Sequence, residues 1–161
     1  MFAKAAHKGQ FRKYTNEPYV THPIRVAHAV MLHPIVAEDM IAAAFLHDVP
    51  EDTEFTIEQI TNLFGQEVGT LVDELTNQSK ATGLPRAERK SMDRERLKTV
   101  SKKAKIIKML DRIDNLNEMH GAEYDFKKLY VGESLWLADS IGDADPALKK
   151  RLITAANLLH A

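Results

Sequence analysis

With 161 residues, 44% of them hydrophobic and 28% charged, the chain has the size and balance of an ordinary globular domain with a sizeable core. Its 22 basic and 23 acidic residues give a formal net charge of −1, which excludes a broad nucleic-acid-binding face but not a small phosphorylated ligand needing a few local cations. Cysteine is absent, which excludes disulfides, thiolate metal ligands and thiol nucleophiles.

No apolar run approaches the ~20 residues that span a bilayer, and the start, from Met1 to Ala6, lacks a long apolar h-region with a cleavage site. A cytoplasmic protein with no membrane partner is expected. No repeat or low-complexity tract divides the chain, so a single domain over 1–161 is expected. Helical periodicity dominates, and β-branched or aromatic runs of period two do not recur.

An Ala-rich segment from about Phe2 to Gln10 ends near Gly9, and the polar stretch from Arg12 to Pro18 reads as a loop. Thr21 is the expected N-cap of a helix with Pro23 in its first turn, running through Ile24, Ala27, His28 and Met31 and stopping near Pro34. The next helix, about Ala37 to Asp48, carries Met40, Ile41, Ala44 and Phe45 at helical spacing. Pro50 is expected to end it. Thr56 and Gln59 form a capping-box pattern, and Gly65 separates that helix from another carrying Val68, Leu71, Val72 and Leu75. Lys80 to Pro85 reads as a flexible connection and Arg86 to Val100 as a charged helix. Ser101 is expected to cap a long helix with Ile106, Ile107, Leu110 and Ile113. Two more helices follow from Phe126, interrupted at Gly142 to Pro146. The fold class is all-α, a compact bundle of about eight helices. An apolar helix face reads the same in a core and in an interface, so a homo-oligomer stays open.

His47 and Asp48 are adjacent near the end of an otherwise apolar helix, where both would lose hydration unless something paired with them. A divalent metal would do so; a simple hydrogen-bonded pair or cap is the plainer alternative. His22 on the preceding helix and Asp111 on a later one complete a mixed nitrogen and oxygen set, His22, His47, Asp48 and Asp111. Such a set suits manganese, iron or zinc better than calcium. Glu51 and Asp52 follow at once and offer a general acid and base, or else form a solvated acidic helix end. At a helix C-terminus two carboxylates face the negative end of the dipole, so a nearby cation would be expected. Asp111 and Asn115 share one face of the long helix, with Glu118 continuing the stripe. Lys105, Lys108 and Arg112 form an adjacent basic stripe, able to hold phosphate oxygens or simply to face solvent. Asp114 reads as an arginine partner.

At these residues the sequence resembles the HD-domain superfamily of metal phosphohydrolases, and within it the RelA/SpoT-type alarmone hydrolase domain and its single-domain relatives. The stretches that carry the resemblance run from His7 to Lys13, Glu17 to Pro23, Leu46 to Thr53, Phe64 to Val68, Leu84 to Lys90 and Ile107 to Leu116. They cover about the first 120 residues, in order. The resemblance implies that His22, His47, Asp48 and Asp111 hold one Mn2+ ion and that Glu51 and Asp52 position or activate water. It implies a guanosine tetra- or pentaphosphate substrate that loses its 3′ pyrophosphate. Arg12 and Lys13 would frame the base, Asn115 would contact the nucleoside, and Arg86 would meet phosphate. The pattern departs from the family at Pro50, in a longer loop between Arg12 and His22, and at Asn117 and Glu118. Glu118 would repel phosphate if it faced the pocket. Two rivals stay open: a phosphatase on another nucleotide, such as the 2′-phosphate of NADPH, and a non-catalytic nucleotide-binding regulator.

Overall fold

The structure, a computed structural model, describes residues 2–160. Among them are ten α-helices, three 3-10 turns and no strand beyond an isolated bridge between Phe11 and Pro18. The helices are α1 (Phe2–Ala6), α2 (Thr21–Met31), α3 (Glu38–Leu46), α4 (Val49–Asp52), α5 (Ile57–Phe64), α6 (Gln66–Leu75), α7 (Arg86–Thr99), α8 (Lys102–Glu118), α9 (Tyr124–Ile141) and α10 (Pro146–His160). The number exceeds the expected eight because α1 and α4 are single-turn pieces. Among the described residues no helix is long and apolar enough to cross a membrane.

α8 is the central element, packed against α2, α3, α6, α9 and α10. Ser101 caps it by accepting from the Ala104 amide at 3.2 Å, as expected. Ile106, Ile107, Met109, Leu110 and Leu116 join the core, and Lys108, Asp111 and Arg112 are buried on the same helix. A helix buried nearly all round is normally apolar all round. Three buried charges on this one therefore need partners nearby.

The Ala43 and Ala44 side chains lie fully buried in α3, which packs closely on α2 and α6. α3 ends at Leu46, two residues before the expected boundary. Pro50 has no amide hydrogen and its ring would collide with the carbonyl of Leu46, four residues back. The proline thus ends the helix upstream of itself and then sits near the start of α4. His47 and Asp48 occupy the kink between the two helices. Glu51 and Asp52 consequently belong to the short helix after the kink, not to the C-terminus of α3.

Thr56 and Gln59 make both bonds of a capping box, and Gly65, at φ 94°, separates α5 from α6. Thr21 is not an N-cap. Val20 before it is already helical, and the Thr21 hydroxyl turns back toward the Pro18 carbonyl, 3.0 Å away. The segment expected as a flexible connection, Lys80 to Pro85, begins inside a 3-10 turn over Gln78–Thr82. Ser79 anchors it to α7 by donating to the buried Asp93 carboxylate at 2.7 Å. At the far end Asp145 separates α9 from α10 and accepts from the Leu148 amide at 2.8 Å.

Candidate functional site

The kink after α3, the start of α2 and the middle of α8 bring His22, His47, Asp48 and Asp111 together. His22 Nε2 lies 3.2 Å from Asp111 Oδ1 and 3.5 Å from Asp48 Oδ2. His47 Nε2 lies 3.2 Å from Asp48 Oδ2 and 3.6 Å from Asp111 Oδ1. Both histidines are about 99% buried, at 1% exposure each. Their other nitrogens are fixed: His22 Nδ1 meets Asp114 Oδ2 at 2.7 Å and His47 Nδ1 meets the Ala44 carbonyl at 2.8 Å. These partners accept, so each Nδ1 carries the proton and each Nε2 presents a lone pair. Neither Nε2 makes a hydrogen bond.

Two bare nitrogen lone pairs aimed at carboxylate oxygens repel unless a cation stands between them. Ligand atoms around one small divalent ion, at ~2.1 Å from it, stand roughly 3 to 3.5 Å apart. The donor set therefore fits a divalent cation in both chemistry and spacing, and these four residues could hold one. His22, His47 and Asp48 alone already satisfy a three-donor cluster. Without a metal a proton takes its place. Burial opposes charge on His47, but Asp48 and Asp111 overcome it and hold its pKa well above the usual imidazole range. His22 is raised too, against its burial, by Asp111 and Asp114. Asp48 and Asp111 are lowered although burial works against them, Asp48 chiefly by His47 and Asp111 chiefly by Lys108.

A shell of further side chains fixes this cluster. Tyr19 Oη stands 2.7 Å from Asp48 Oδ2 and 3.0 Å from Asp52 Oδ2 and can donate to either. Burial and the two carboxylates raise its pKa, so the proton stays on the phenol. Asn115 donates to Asp111 Oδ1 at 2.6 Å, and Lys108 Nζ sits 3.0 Å from Asp111 Oδ2. Arg25 grips Asp114 through two bonds at 2.8 and 3.0 Å, which makes Asp114 the expected arginine partner. The same carboxylate orients His22.

Glu51 and Asp52 flank the cluster and share one cation. Lys80 Nζ lies 2.8 Å from Asp52 Oδ1 and 3.2 Å from Glu51 Oε2. Glu51 Oε1 also accepts from the Asn77 amide and side chain at 2.7 and 2.9 Å. The acidic pair thus has the neighbouring cation it needs, supplied from the turn after α6.

Arg12, Lys13 and Asn115 line one cavity of about 280 Å³ beside the cluster, together with Tyr14, Tyr19 and Phe126. The Arg12 guanidinium is 5.3 Å from the Tyr19 ring centre and donates to Asn115 Oδ1 at 2.7 Å. Lys13 Nζ lies 5.2 Å from the Tyr14 ring centre and 5.8 Å from that of Phe126. Glu118 does face this cavity, yet Arg12 and Arg25 both pair with it, so its charge is neutralised in place. Arg86 stands apart from the cavity lining. It holds Glu133 through two bonds, at 3.0 and 2.9 Å, and rests 5.5 Å from the Phe126 ring centre. Lys108 and Arg112 of the basic stripe are buried rather than solvated.

Sequence reasoning assigned no role to Tyr19, Asn77 or Lys80. Tyr19 lies three residues before His22, close enough in sequence to have raised the question. Asn77 and Lys80 reach Glu51 and Asp52 across 26 and 28 residues, and no local pattern announces such contacts.

Residues 1–135 match the model of the HD domain family. The chain belongs to the HD-domain family. Among curated relatives, the guanosine-3′,5′-bis(diphosphate) 3′-pyrophosphohydrolase MESH1 of Xenopus tropicalis is 39% identical over 121 residues, covering 73% of this chain and 65% of that protein. The protein of the same name in Homo sapiens is 36% identical over 122 residues, covering 74% of this chain and 66% of its own length. The chain thus spans slightly under two thirds of the length of these relatives. A solved structure of a metazoan ortholog of SpoT, described as hydrolysing ppGpp, superposes with a TM-score of 0.87 at 30% identity, covering 98% of this chain and 90% of that one. This HD domain therefore shares its fold with that protein over nearly its whole described length.

Proposed function

We propose that this HD-domain protein is a divalent-metal-dependent 3′-pyrophosphohydrolase of guanosine tetra- and pentaphosphate, acting in the cytoplasm and releasing GDP or GTP and pyrophosphate. The observation that carries the reading is the pair of buried, unpartnered Nε2 atoms facing Asp48 and Asp111 beside a cavity built from Arg12, Lys13 and aromatic rings. The names of the relatives point to the same substrate.

In this reading His22, His47, Asp48 and Asp111 hold the ion, which is Mn2+. When bound it lowers the pKa of water and neutralises phosphate charge. Glu51 and Asp52 position the attacking water and accept its proton, with Lys80 and Asn77 holding the two carboxylates in place. Tyr19 keeps Asp48 and Asp52 in register. The Arg12 plane, Lys13 and the aromatic walls frame the guanine, Asn115 faces the nucleoside, and Arg86 meets phosphate. Water forms a new bond to the phosphorus next to the ribose. The bond from that phosphorus to the 3′ oxygen breaks, and a proton ends on that oxygen. No covalent enzyme intermediate is needed.

Purified protein loaded with Mn2+ should release pyrophosphate from guanosine tetraphosphate. Release of orthophosphate alone, or turnover of NADPH with the tetraphosphate left intact, would overturn the reading.

A further inference from the structure

Four cations of α7 and α8 line one recess that the proposed reaction does not use. Lys90, Lys108 and Arg112 line it together with Arg94, which is stacked 3.4 Å over the Trp136 ring, with Asn77, and with two carboxylates, Glu133 and Asp93, the latter accepting from Ser79. Its free volume is about 20 Å³, room for little more than one water-sized group. Lys108 pairs with Asp111 at 3.0 Å, and Arg112 donates to Ser134 at 3.3 Å while reaching Glu133 only at 3.9 Å. Glu133 is already held by Arg86 through two shorter bonds. Among the described residues Lys90 pairs with no carboxylate. Burial and the positive charges of Arg112 and Lys108 push its ammonium pKa down. A half-buried Lys90 beside the buried Lys108 and Arg112 costs stability unless an anion joins them.

The place of that missing anion follows from α8. Asp111 lies between Lys108 and Asn115 along one face of α8. Toward the helix C-terminus Asn115 borders the aromatic cavity; toward its N-terminus Lys108, with Arg112 beside Asp111, borders the recess. Asn77, also in the recess wall, holds Glu51. A ligand with its nucleoside in the cavity and its reacting phosphorus at Asp111 and Glu51 would direct further phosphate toward the recess. The small volume admits a single phosphoryl oxygen while the rest of the group stays at the mouth.

We propose that Lys90, Lys108 and Arg112 form a subsite for the terminal phosphate of the leaving diphosphate, and that Lys90 discriminates a diphosphate from a single phosphate. This rests on the pyrophosphohydrolase reading for its substrate, but pyrophosphate itself can be measured without turnover. Calorimetry of the Mn2+-loaded protein, free of excess metal, would compare pyrophosphate with orthophosphate. Lys90→Met should weaken pyrophosphate binding about 10-fold or more and leave orthophosphate within about twofold, and Lys90→Arg should retain most of the affinity. Lys90→Met should also melt no lower than the parent, because an uncompensated cation is removed. Lys90→Gln repeats the comparison should the methionine variant fold poorly. Unchanged pyrophosphate affinity in the neutral variants, or an equal loss for both anions, would overturn the subsite. A protein that binds pyrophosphate through Lys90 yet leaves guanosine tetraphosphate intact would keep the subsite and overturn the substrate.

Discussion

His22 meets Asp114 at 2.7 Å through Nδ1 and faces Asp111 at 3.2 Å through Nε2, so one ring joins a charged support to the candidate ligand cluster. Asp114 in turn is gripped by Arg25 at 2.8 Å. A carboxylate behind a ligating histidine fixes its tautomer and raises its basicity, and its loss typically costs about 10- to 100-fold in metal affinity. Asp114→Asn should therefore weaken Mn2+ binding by about that factor without changing its stoichiometry. His47→Ala and Asp48→Ala should abolish stoichiometric binding. Metal titration with atomic analysis separates the two effects. Full Mn2+ occupancy in both alanine variants would sink the ligand assignment.

Glu51 and Asp52 share Lys80, which invites a comparison between removing a carboxylate and removing its cation. If Glu51 positions or deprotonates water, Glu51→Gln should keep the metal and lose about 10²- to 10⁴-fold in kcat. Lys80→Met leaves both carboxylates but frees them to move. Its effect should be a smaller drop in kcat, with metal content intact. Single-turnover rates at saturating substrate would read both. A Glu51→Gln enzyme with parental kcat removes the acid-base role.

The Arg12 guanidinium is tied by Glu118 and Asn115 into a fixed plane against Tyr19. Such a plane can stack on a base, which a lysine ammonium cannot. Arg12→Lys should raise KM for the nucleotide several-fold, about 1 kcal/mol of uniform binding, with kcat little changed. A change confined to kcat would place Arg12 at the reacting phosphate instead of at the base.

Much of this arrangement can be read from the chain itself, because helical periodicity, the Thr56–Gln59 box and the Ser101 cap are local features. The four candidate ligands were also readable, since histidines and aspartates on apolar helices demand partners. Structure and sequence pattern part where several local signals compete or where contacts are distant. Thr21 looked like a cap, but Val20 already adopts helical dihedrals and takes that place. Pro50 marked a break correctly, yet its steric effect falls four residues upstream, which moved Glu51 and Asp52 onto a separate turn. Lys80 seemed a loop charge because nothing near it in sequence is acidic. Its partners arrive through the packing of α3, α4 and α6. The burial of Lys108 and Arg112 was equally invisible, since a basic stripe on an isolated helix looks solvated.

Asp145 offers a test of the scaffold away from the site. Its carboxylate accepts from the Leu148 amide at 2.8 Å and faces His33 Nε2 at 2.9 Å. The backbone bond first, and then the histidine, hold its pKa below the usual carboxylate value. A depressed folded-state pKa means stability that is fully present above the unfolded carboxylate pKa of about 3.9 and lost as pH falls through the folded value. Asp145→Ala should thus cost about 1 kcal/mol at pH 7, the usual loss of a helix cap. Asp145→Asn should cost less, because the amide oxygen can still accept. The gap between Asp145→Ala and the parent should narrow as pH drops below about 4, toward the gap between Asp145→Ala and Asp145→Asn, because the protonated carboxyl can still accept. Urea unfolding of the three proteins across pH measures this directly. A gap that persists undiminished below the folded pKa would mean that packing around Asp145, and not its charge, sets the cost.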